Sequence, residues 1–476
     1  MTGVILSSQF VNSDLAFEYG KILPVELPLA NDALLKYQID LLKNYCDEVL
    51  LIIPEYYSSD IIKKYVDKIS VLNKTFSSLI ESFRFINSIN KSKSFILYGD
   101  TLFSGNIKLE KANYLFVNYT NRYYDWGDVF ENKVPSGGMI FENNKLKEIL
   151  KNSDNFTSFL EECYNDPVVI KYDGFQWYDF GTINTYYDSK KSFLKPREFN
   201  NISTADNFLK KESSDVFKIW AEYKWFKEFF KIDIVNLPQV KSFELYENKA
   251  SYKIEYLSYP LLSDIYVFGR FPEKYFFKIL ERIQIDLYKM QGVGADFSDQ
   301  KSFLVLKLQD RKKDVFEILE NFDVDKSLFK KIYDENIIFF KDKIFKNVLM
   351  HGDLCFSNIL FDFRSFTPFF IDPRGYKDRN YGVEMYGPYI YDIIKLAHSY
   401  LCSYDYIIHG HFDVINEIGS ESFKIKMKKF RVLFQIEEEV LIKGLINLFV
   451  TMIPLHNDNV NRQKAFVNIT FKLANL

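Results

Sequence analysis

The C-terminal half of the chain carries the segment His351-Gly-Asp-Leu-Cys-Phe-Ser-Asn358, which the apolar run Ile359-Leu-Phe361 follows directly. A second apolar run, Phe369-Phe-Ile371, leads into Asp372. Two carboxylates and one amide are therefore presented on neighbouring strand–loop segments. Phosphoryl transfer needs such groups, because one carboxylate orients the acceptor hydroxyl while a second carboxylate and a neutral oxygen hold Mg²⁺. The combined spacing favours this interpretation over a plain turn in which Asp372 only caps a helix.

The pattern His-Gly-Asp-x-x-x-x-Asn with a later Asp resembles the aminoglycoside phosphotransferase and choline kinase family. The resemblance implies a bilobal, protein-kinase-like α+β fold that uses ATP. It also implies that Asp353 is the catalytic base and that Asn358 and Asp372 are ligands of Mg²⁺. Asp392 would then brace the site by hydrogen bonds. Arg374 either contacts a phosphate or the acceptor, or forms a structural ion pair.

A kinase of this kind also needs a lysine that contacts the phosphates and a helix-borne glutamate that orients this lysine. Lys210 and Lys211 follow the apolar pair Phe208-Leu209, and Glu222 lies in the helical pattern over residues 216–230. Either lysine fits the role. We take Lys211 and Glu222 as the catalytic pair and Lys210 as a further contact of the nucleotide.

The segment Ile254-Glu-Tyr-Leu257 resembles the hinge between the two lobes of these kinases. The resemblance implies that backbone groups of Glu255 and Leu257 contact adenine. Residues 200–207 contain no glycine, so the glycine-rich loop of protein kinases is missing. This departure weakens the likeness to protein kinases more than the likeness to small-molecule kinases.

A polar stretch over residues 190–206 indicates a domain boundary, which we place between residues 194 and 195. The following part predicts a small mixed lobe over about 195–257 and a mainly helical lobe over about 258–476. Upstream, residues 1–190 alternate short apolar runs with helical patterns, among them a helical pattern through 59–90. Such alternation predicts a three-layer α/β domain with a mostly parallel sheet.

Two motifs of this N-terminal part resemble sugar nucleotidyltransferases, which have a GT-A-like fold. The run Ile96-Leu-Tyr-Gly-Asp100 is similar to their strand that ends in a metal-binding Asp, and Gly137-Gly-Met-Ile-Phe141 is similar to their substrate loop and strand. Trp177-Tyr-Asp179-Phe-Gly-Thr182 resembles their Trp-x-Asp-x-Gly-Thr motif. The resemblance implies that Asp100 and Asp179 hold one Mg²⁺ at the phosphates of a nucleoside triphosphate.

The start of the chain departs from that family. Its members open with a glycine-rich loop whose amides approach the triphosphate, whereas this chain has Leu6-Ser-Ser-Gln9 at the corresponding place. Ser7, Ser8 and Gln9 are the candidates to replace those hydrogen bonds, and Lys21 is the candidate cation for the phosphates. The alternative is a degenerate fold that is kept as a scaffold or a nucleotide sensor. A related GT-A glycosyltransferase is a third interpretation.

Length and composition argue against several other classes of protein. A chain of 476 residues predicts two or three domains, and its net charge of −3 gives no electrostatic case for nucleic acid. The cysteines are scattered and form no Cys-x-x-Cys pair, which argues against a zinc site or a disulfide framework. No apolar run reaches the ~18 residues of a membrane span and no secretory signal is visible, so we expect a cytoplasmic protein.

The two resemblances together predict a bifunctional kinase and nucleotidyltransferase. The kinase would phosphorylate a sugar, a polyol or an amino alcohol with ATP. The second site would join that phosphate to a second NTP, CTP or UTP, and the activated product would serve surface polysaccharide such as a bacterial capsule, by analogy alone. The sequence leaves the acceptor, the second NTP and association into a homo-oligomer open.

Overall fold

The computed structural model describes residues 1–90, 92–105, 107, 113–120, 122, 124, 133–193, 200–205, 207–230, 236–292, 303–376 and 385–476. The chain divides into two compact units. Unit 1 comprises Met1–Leu194 and Phe268–Arg270, and unit 2 comprises Lys195–Val267 and Phe271–Leu476. The assignment of an activity to each unit stays a prediction at this point.

Unit 1 alternates strands and helices. Its strands are β1 (Thr2–Leu6), β2 (Pro28–Leu29), β3 (Asp32–Ala33), β4 (Glu48–Ile53), β5 (Ser70–Asn73), β6 (Lys93–Tyr98), β7 (Thr101–Ser104), β8 (Asn113–Tyr119), β9 (Lys133–Glu142), β10 (Val169–Tyr172) and β11 (Gln176–Asp179). Its helices are α1 (Ser13–Tyr19), α2 (Leu34–Lys43), α3 (Asp60–Lys63), α4 (Leu79–Ile89), α5 (Asn143–Lys151), α6 (Phe156–Asn165) and α7 (Ile183–Lys191).

The core of unit 1 is a seven-stranded sheet in the order β10-β8-β9-β6-β1-β4-β5. Strand β9 runs antiparallel to its neighbours β8 and β6, and the other neighbouring pairs are parallel. Apolar side chains of α4, α5 and α6 pack on one face of the sheet, with Phe83 and Phe159 fully buried there. Helix α2 covers the other face, where Leu42 lies against Gly3 of β1. These are the three layers that the alternation predicts.

The prediction of helices throughout residues 59–90 is wrong in one place. Residues Ser70–Asn73 form β5, which pairs in parallel with β4 at the edge of the sheet. The strand is only half-buried, so its four residues lack the continuous apolar run by which β4 can be recognised. Its tertiary pairing outweighs a weak local signal.

Unit 2 begins with a four-stranded antiparallel sheet in the order β12-β13-β15-β14. The strands are β12 (Asn200–Ala205), β13 (Phe208–Ser213), β14 (Val240–Tyr246) and β15 (Lys249–Glu255). Helix α8 (Val216–Phe230) packs on this sheet and contacts β13, β14 and β15. Trp225 and Phe226 of α8 are fully buried, so the helix is fixed by its apolar face.

The rest of unit 2 is mainly helical. Its helices are α9 (Leu262–Phe268), α10 (Glu273–Gln291), α11 (Phe303–Leu319), α12 (Lys326–Lys341), α13 (Ile390–Tyr400), α14 (Tyr404–Ile408), α15 (Glu421–Phe434), α16 (Glu438–Met452) and α17 (Val460–Ala474). Its short strands are β16 (Asn347–Leu349), β17 (Ile359–Asp362), β18 (Thr367–Phe370) and β19 (Tyr386–Pro388). Strand β16 pairs with β19 and β17 pairs with β18, both antiparallel.

Helix α16 lies at the centre of this helical part and contacts α11, α12, α13 and α17. The segment Glu438–His456 is long and apolar enough to cross a membrane by length and composition, with a mean hydropathy of 1.4. Of its most apolar window, 67% is buried inside the protein. A helix in the core of a protein can also be this long and this apolar, and the burial of this segment fits such a helix.

Candidate functional sites

A buried lysine in unit 2 bridges two carboxylates. The ammonium of Lys211 on β13 lies 2.6 Å from Oε2 of Glu222 on α8 and 3.0 Å from Oδ1 of Asp372, which follows β18. The side chain of Glu222 is only 2% exposed, whereas that of Asp372 is 41% exposed. Burial lowers the pKa of Lys211, but the charges of Asp372 and Glu222 outweigh burial and raise it above the ordinary value. Lys211 is therefore a buried cation that two carboxylates hold in place, one of them buried and the other partly exposed to solvent.

The neighbouring lysine points elsewhere because side chains alternate along a strand. Lys210 pairs with Glu212 at 3.2 Å and lies over the ring of Tyr246, at the surface of the sheet. The structure thus brings Lys211, Glu222 and Asp372 together and leaves Lys210 outside this cluster. Which lysine contacts a nucleotide remains a prediction, and this geometry favours Lys211.

The loop between β16 and β17 carries the His-Gly-Asp segment. The amide nitrogen of Asn358 donates to the backbone carbonyl of Asp353 at 2.7 Å and to its Oδ2 at 3.1 Å. The other carboxylate oxygen, Oδ1, lies 2.8 Å from the ammonium of Lys395 on α13. The carboxylate of Asp353 is therefore held on both sides, with the amide on one oxygen and the ammonium on the other.

Asn358 and Asp372 form the pair expected to bind Mg²⁺. The pairing of β17 with β18, together with a bond from the N–H of Ile371 to the carbonyl of Asn358 at 3.0 Å, places the two residues side by side. The Oδ1 atom of Asn358 is buried and has no hydrogen-bond partner in the described part of the chain. Asp372 adopts a φ of +52°, a strained value for an aspartate. An unsatisfied amide oxygen beside a strained carboxylate fits a site for a hard cation.

Two buried residues, Asp392 and His351, make hydrogen bonds that hold the loop between β16 and β17. Asp392 accepts hydrogen bonds from the backbone N–H groups of His351 and Gly352 at 2.7 and 2.9 Å, which confirms its predicted bracing role. Burial raises the pKa of Asp392 to about 6. The Nε2–H of His351 donates to the carbonyl of Ile371 at 2.9 Å, since a carbonyl only accepts. Burial lowers the pKa of His351 to about 4, so its ring is neutral near pH 7.

The segment after β15 is where the sequence predicts a hinge. The N–H of Glu255 donates to the carbonyl of Gln239 at 2.7 Å, so this backbone donor is already used. The N–H of Tyr256 donates to the carbonyl of Asn207 at 2.8 Å. Leu257 is half-buried in the irregular segment that follows. An adenine contact at Glu255 would therefore use its carbonyl, and the role of both hinge residues stays a prediction.

Unit 1 contains a cavity of about 710 Å³ that Asp100, Asp179, Tyr98, Trp177 and Thr182 help to line. Asp100 lies in the turn between β6 and β7, and the antiparallel pairing of β7 with β11 brings Asp179 beside it. Oδ2 of Asp100 and Oδ1 of Asp179 lie 3.0 and 3.2 Å from the point that a Cβ on Gly181 would occupy. The two carboxylates thus converge on one point at the edge of the cavity.

The charges at this point are incompletely balanced. Burial and then the charge of Asp179 raise the pKa of Asp100 to about 7. The hydroxyl of Tyr124 donates to Asp179 at 2.7 Å, and the N–H of Gly181 donates to its other oxygen at 2.9 Å. Two carboxylates that repel each other fit a divalent cation. No cluster of three or more His, Cys, Asp and Glu side chains occurs among the described residues, so phosphate oxygens or water would complete the ligands.

The residues proposed to replace the glycine-rich loop are not gathered at this cavity. Ser7 is buried with no partner for its hydroxyl in the described part of the chain, and this hydroxyl packs against Gly99. Ser8 is half-buried and Gln9 is exposed. The ammonium of Lys21 lies over the ring of Phe10, 4.4 Å from its centroid. None of the four is among the residues that line the cavity.

Several residues near the two sites make contacts that the sequence did not predict. Tyr252 donates to Glu222 at 3.0 Å in unit 2, and Lys395 pairs with Asp353. In unit 1 the amide of Asn12 donates to the carbonyl of Gly181 at 2.8 Å, and the buried amide of Gln38 donates to three carbonyls around Asp100. Their residue types are common, and only tertiary pairing gives them a place in a site.

The chain matches no protein-family model, and no curated protein matches it. Solved structures do. A thermostable mutant of the aminoglycoside phosphotransferase APH(4)-Ia is similar over 59% of this chain and 93% of its own, with 11% identity and a TM-score of 0.43. APH(2″)-IIia, solved with GDP and kanamycin, is similar over 59% and 92%, with 13% identity and a TM-score of 0.40.

A Bacillus anthracis protein designated a glucose-1-phosphate thymidylyltransferase, solved with sucrose, is similar over 41% of this chain and 97% of its own. Its identity is 10% and its TM-score 0.33. The structures similar to this chain thus include phosphotransferases and a nucleotidyltransferase, the two classes that the motifs resemble. At these identities and TM-scores the similarity assigns neither an activity nor a substrate to this chain.

Proposed function

We propose that unit 2 is an ATP-dependent phosphotransferase that acts on a hydroxyl group of a small molecule. The observation that carries this proposal is the cluster of Lys211, Glu222 and Asp372 beside the loop that holds Asp353 and Asn358. Lys211 supplies a fixed positive charge for the phosphates. Asn358 and Asp372 would hold Mg²⁺, which neutralises negative charge on ATP when it is bound. Asp353 lies within hydrogen-bond reach of Asn358, at the place where an acceptor hydroxyl would be oriented.

The reaction balances with these groups. The acceptor oxygen forms a bond to the γ-phosphorus, and the bond from that phosphorus to the bridging oxygen breaks. ADP leaves with the electron pair, and the hydroxyl proton passes to Asp353. Lys395 orients the carboxylate of Asp353 through its contact with Oδ1 at 2.8 Å. Burial lowers the pKa of Lys395, but the charge of Asp353 outweighs burial and raises it, so the ammonium stays charged.

The experiment that tests this proposal compares the wild type with Asp353→Asn. ADP release from Mg·ATP is followed with a set of alcohols, and ATP binding is measured separately. We expect turnover to fall by on the order of 10²–10⁴ while ATP binding is largely kept, because a positioned base is lost and no phosphate contact is removed. ADP production near that of the wild type would show that the base lies elsewhere.

For unit 1 we propose a metal-dependent nucleotidyltransferase site at Asp100 and Asp179. Its support is the convergence of both carboxylates on Gly181 at the edge of the cavity. The full-length protein should show a rise in melting temperature with CTP or UTP that needs Mg²⁺ and that Asp100→Asn removes, because ligands stabilise the state to which they bind. A shift that persists in Asp100→Asn would place the nucleotide elsewhere.

Together the two sites would phosphorylate a metabolite and then join its phosphate to a nucleotide with release of pyrophosphate. Such activated precursors are the class of compound used for surface polysaccharide, and this context rests on chemistry alone. The alternatives for unit 1 are a non-catalytic scaffold or sensor and a GT-A glycosyltransferase. Release of a nucleoside diphosphate in place of pyrophosphate would identify the glycosyltransferase. Nucleotide binding without turnover would identify the sensor.

A further inference from the structure

Several cationic side chains lie near one another beside the 351–358 loop of unit 2. Lys395 on α13 contacts its Oδ1 atom at 2.8 Å. Lys307 on α11 donates to the hydroxyl of Tyr391, and its ammonium lies 4.1 Å from the centroid of that ring. The guanidinium of Arg374 lies over the ring of Phe303, which Lys307 also contacts. Arg311 follows Lys307 one helical turn later. Arg311 donates to the carbonyl of Thr451, whereas Lys307 and Arg374 share the ring of Phe303.

Lys307 is the most informative member of this cluster. The residue is only 9% exposed. The charges of Arg374, Lys395 and Arg311 disfavour the charged form of Lys307, and the charge of Asp353 favours it. Burial and then these cations lower its pKa well below the ordinary value. A buried ammonium without a carboxylate of its own is unfavourable, and an apolar side chain of similar length would pack at lower cost. The hydroxyl of Tyr391 and the rings of Phe303 and Tyr391 stabilise the ammonium of Lys307 in part, but none of these contacts supplies a negative charge.

Arg374 presents a second cation toward the same loop. Its N–H donates to the carbonyl of His351 at 2.9 Å, and its side chain packs against Gly352, next to Asp353. The guanidinium lies 4.9 Å from the centroid of Tyr376 and makes no ion pair with a carboxylate in the described part of the chain. A guanidinium held by aromatic rings offers its donors in the fork geometry that suits carboxylate and phosphate.

The geometry separates this cluster from the groups expected to contact the triphosphate. Asn358 contacts Oδ2 of Asp353 at 3.1 Å, on the side of the proposed metal ligands, whereas Lys395 contacts Oδ1. Lys211 belongs to the first side, since its ammonium contacts Asp372. Lys395 reaches Asp353 from α13, and Lys307 on α11 contacts Tyr391 of the same helix α13. The positive charge therefore lies where the acceptor, and not the triphosphate, would be bound.

We infer that the alcohol phosphorylated by unit 2 is itself an anion, with a carboxylate or a phosphate close to the reactive hydroxyl. The anionic group is held by Lys307 and Arg374, while Lys395 holds Asp353 in place. This inference rests on the proposed phosphotransferase function and narrows its acceptor. Neutral polyols and cationic amino alcohols become poor acceptors, because neither supplies the negative charge that the buried ammonium needs.

The test uses the full-length protein with Mg·ATP and four alcohols of similar size: glycerol, glycerate, glycerol 3-phosphate and 2-amino-1,3-propanediol. ADP release gives kcat/KM for each, and the glycerate and glycerol phosphate arms distinguish a carboxylate from a phosphate. We expect at least one anionic alcohol to exceed glycerol and the amine by about tenfold or more, the scale of one well-made charged contact.

Lys307→Met and Arg374→Met should each raise the KM for the anionic acceptor by about tenfold with the KM for ATP unchanged. Lys313→Met on the same helix is the matched control, because the side chain of Lys313 is 83% exposed. Where turnover is slow, the shift in melting temperature with each alcohol in the presence of Mg·AMP-PNP gives the same ranking. Arg374→Met keeps the test open if Lys307→Met does not fold.

A preference for glycerol or the amine overturns the inference, as does the absence of binding by both anionic alcohols. An unchanged acceptor KM in both variants overturns it as well. Failure of the phosphotransferase proposal has a different signature. ADP formation from a neutral alcohol that Asp353→Asn abolishes would leave that proposal standing, whereas no binding of Mg·ATP at all would remove it.

Discussion

Lys211 and Lys210 are adjacent in β13, yet only Lys211 contacts two carboxylates. The difference comes from strand alternation, which turns Lys211 toward α8 and Lys210 toward Glu212 at the surface. We predict that Lys211→Met lowers ADP release by on the order of 10²-fold or more, because a preorganised positive charge at the phosphates is lost. Lys210→Met is the matched control and should stay within about threefold of the wild type. Steady-state rates of both variants decide between them, and the reverse order would move the site to Lys210.

Two buried histidines, His351 in the loop before β17 and His398 on α13, lead to a prediction about acid stability. Burial lowers the pKa of His351 to about 4 and that of His398 to about 3. An unfolded histidine titrates near ~6.5, so below that pH the unfolded chain binds protons that the folded protein does not. Each histidine therefore removes up to about 1.4 kcal/mol of stability per pH unit as the pH falls from ~6.5 toward its folded pKa.

His398→Gln isolates one of these contributions. Nδ1–H of His398 donates to the carbonyl of Lys395, and a glutamine amide can keep such a donor without titrating. The free energies of unfolding of the wild type and the variant, from urea titrations, should converge as the pH falls from about 7 to about 4. Parallel curves over that range would show that His398 does not titrate on unfolding as described.

The sequence alone predicts part of the candidate site in unit 2, and the structure is needed for the rest. The closeness of Asp353, Asn358 and Asp372 could be predicted, because their spacing, with apolar runs between them, puts them on neighbouring strand–loop segments. Lys307 could not, since a lysine in an amphipathic helix is usually solvated and only the packing of α11 against Tyr391 buries it. In the same way, the choice between Lys210 and Lys211 depends on which face of β13 receives α8.

At the scale of elements, the close approach of α8 to the loop after β18 brings Glu222 and Asp372 to the same ammonium group, that of Lys211. Gly375 is the residue of that loop that lies against α8. Its φ is +70°, and a Cβ there would lie 2.3 Å from the carbonyl oxygen of Ala221. Ala221 precedes Glu222, so any displacement of this backbone moves the carboxylate that orients Lys211. The glycine is therefore required both by its conformation and by space.

Gly375→Ala should lower stability by about 2–4 kcal/mol and reduce ADP release, because strain and a backbone clash add. Gly419→Ala is the matched control, since Gly419 also has a positive φ of +94° but its Cβ would meet no atom closer than 3.7 Å. That variant should lose only about 1 kcal/mol and keep its activity. Equal effects of the two substitutions, by urea unfolding and kinetics, would remove the role of this approach.

The pairing of β7 with β11 has the corresponding role in unit 1. It lies outside the seven-stranded sheet and brings Asp179 to Asp100 across a long stretch of sequence. The two motifs were visible in the sequence, but their convergence was not, because neither motif contains the register of the other strand. The altered loop at Leu6-Ser-Ser-Gln9 shows the opposite case, because its conspicuous residues are not among those that line the cavity.

At the scale of the whole molecule, each of the two compact units holds one pair of residues that we propose to bind a cation at phosphates, Asn358 with Asp372 in unit 2 and Asp100 with Asp179 in unit 1. The proposal that they catalyse consecutive transfers makes the first product the second substrate. The two chemistries release different products, ADP in one case and pyrophosphate in the other. The activities are therefore separable in a single preparation, provided that the phosphorylated alcohol is supplied to the second reaction directly.

The most direct test measures ADP and pyrophosphate release separately in full-length Asp353→Asn and Asp100→Asn. With ATP and the alcohol, Asp353→Asn should form almost no ADP and Asp100→Asn should form it at the rate of the wild type. With the phosphorylated alcohol and CTP or UTP, the pattern should reverse, so that only Asp100→Asn stops releasing pyrophosphate. Loss of both activities in either folded variant, or retention of both in each, would contradict two separate transfer sites.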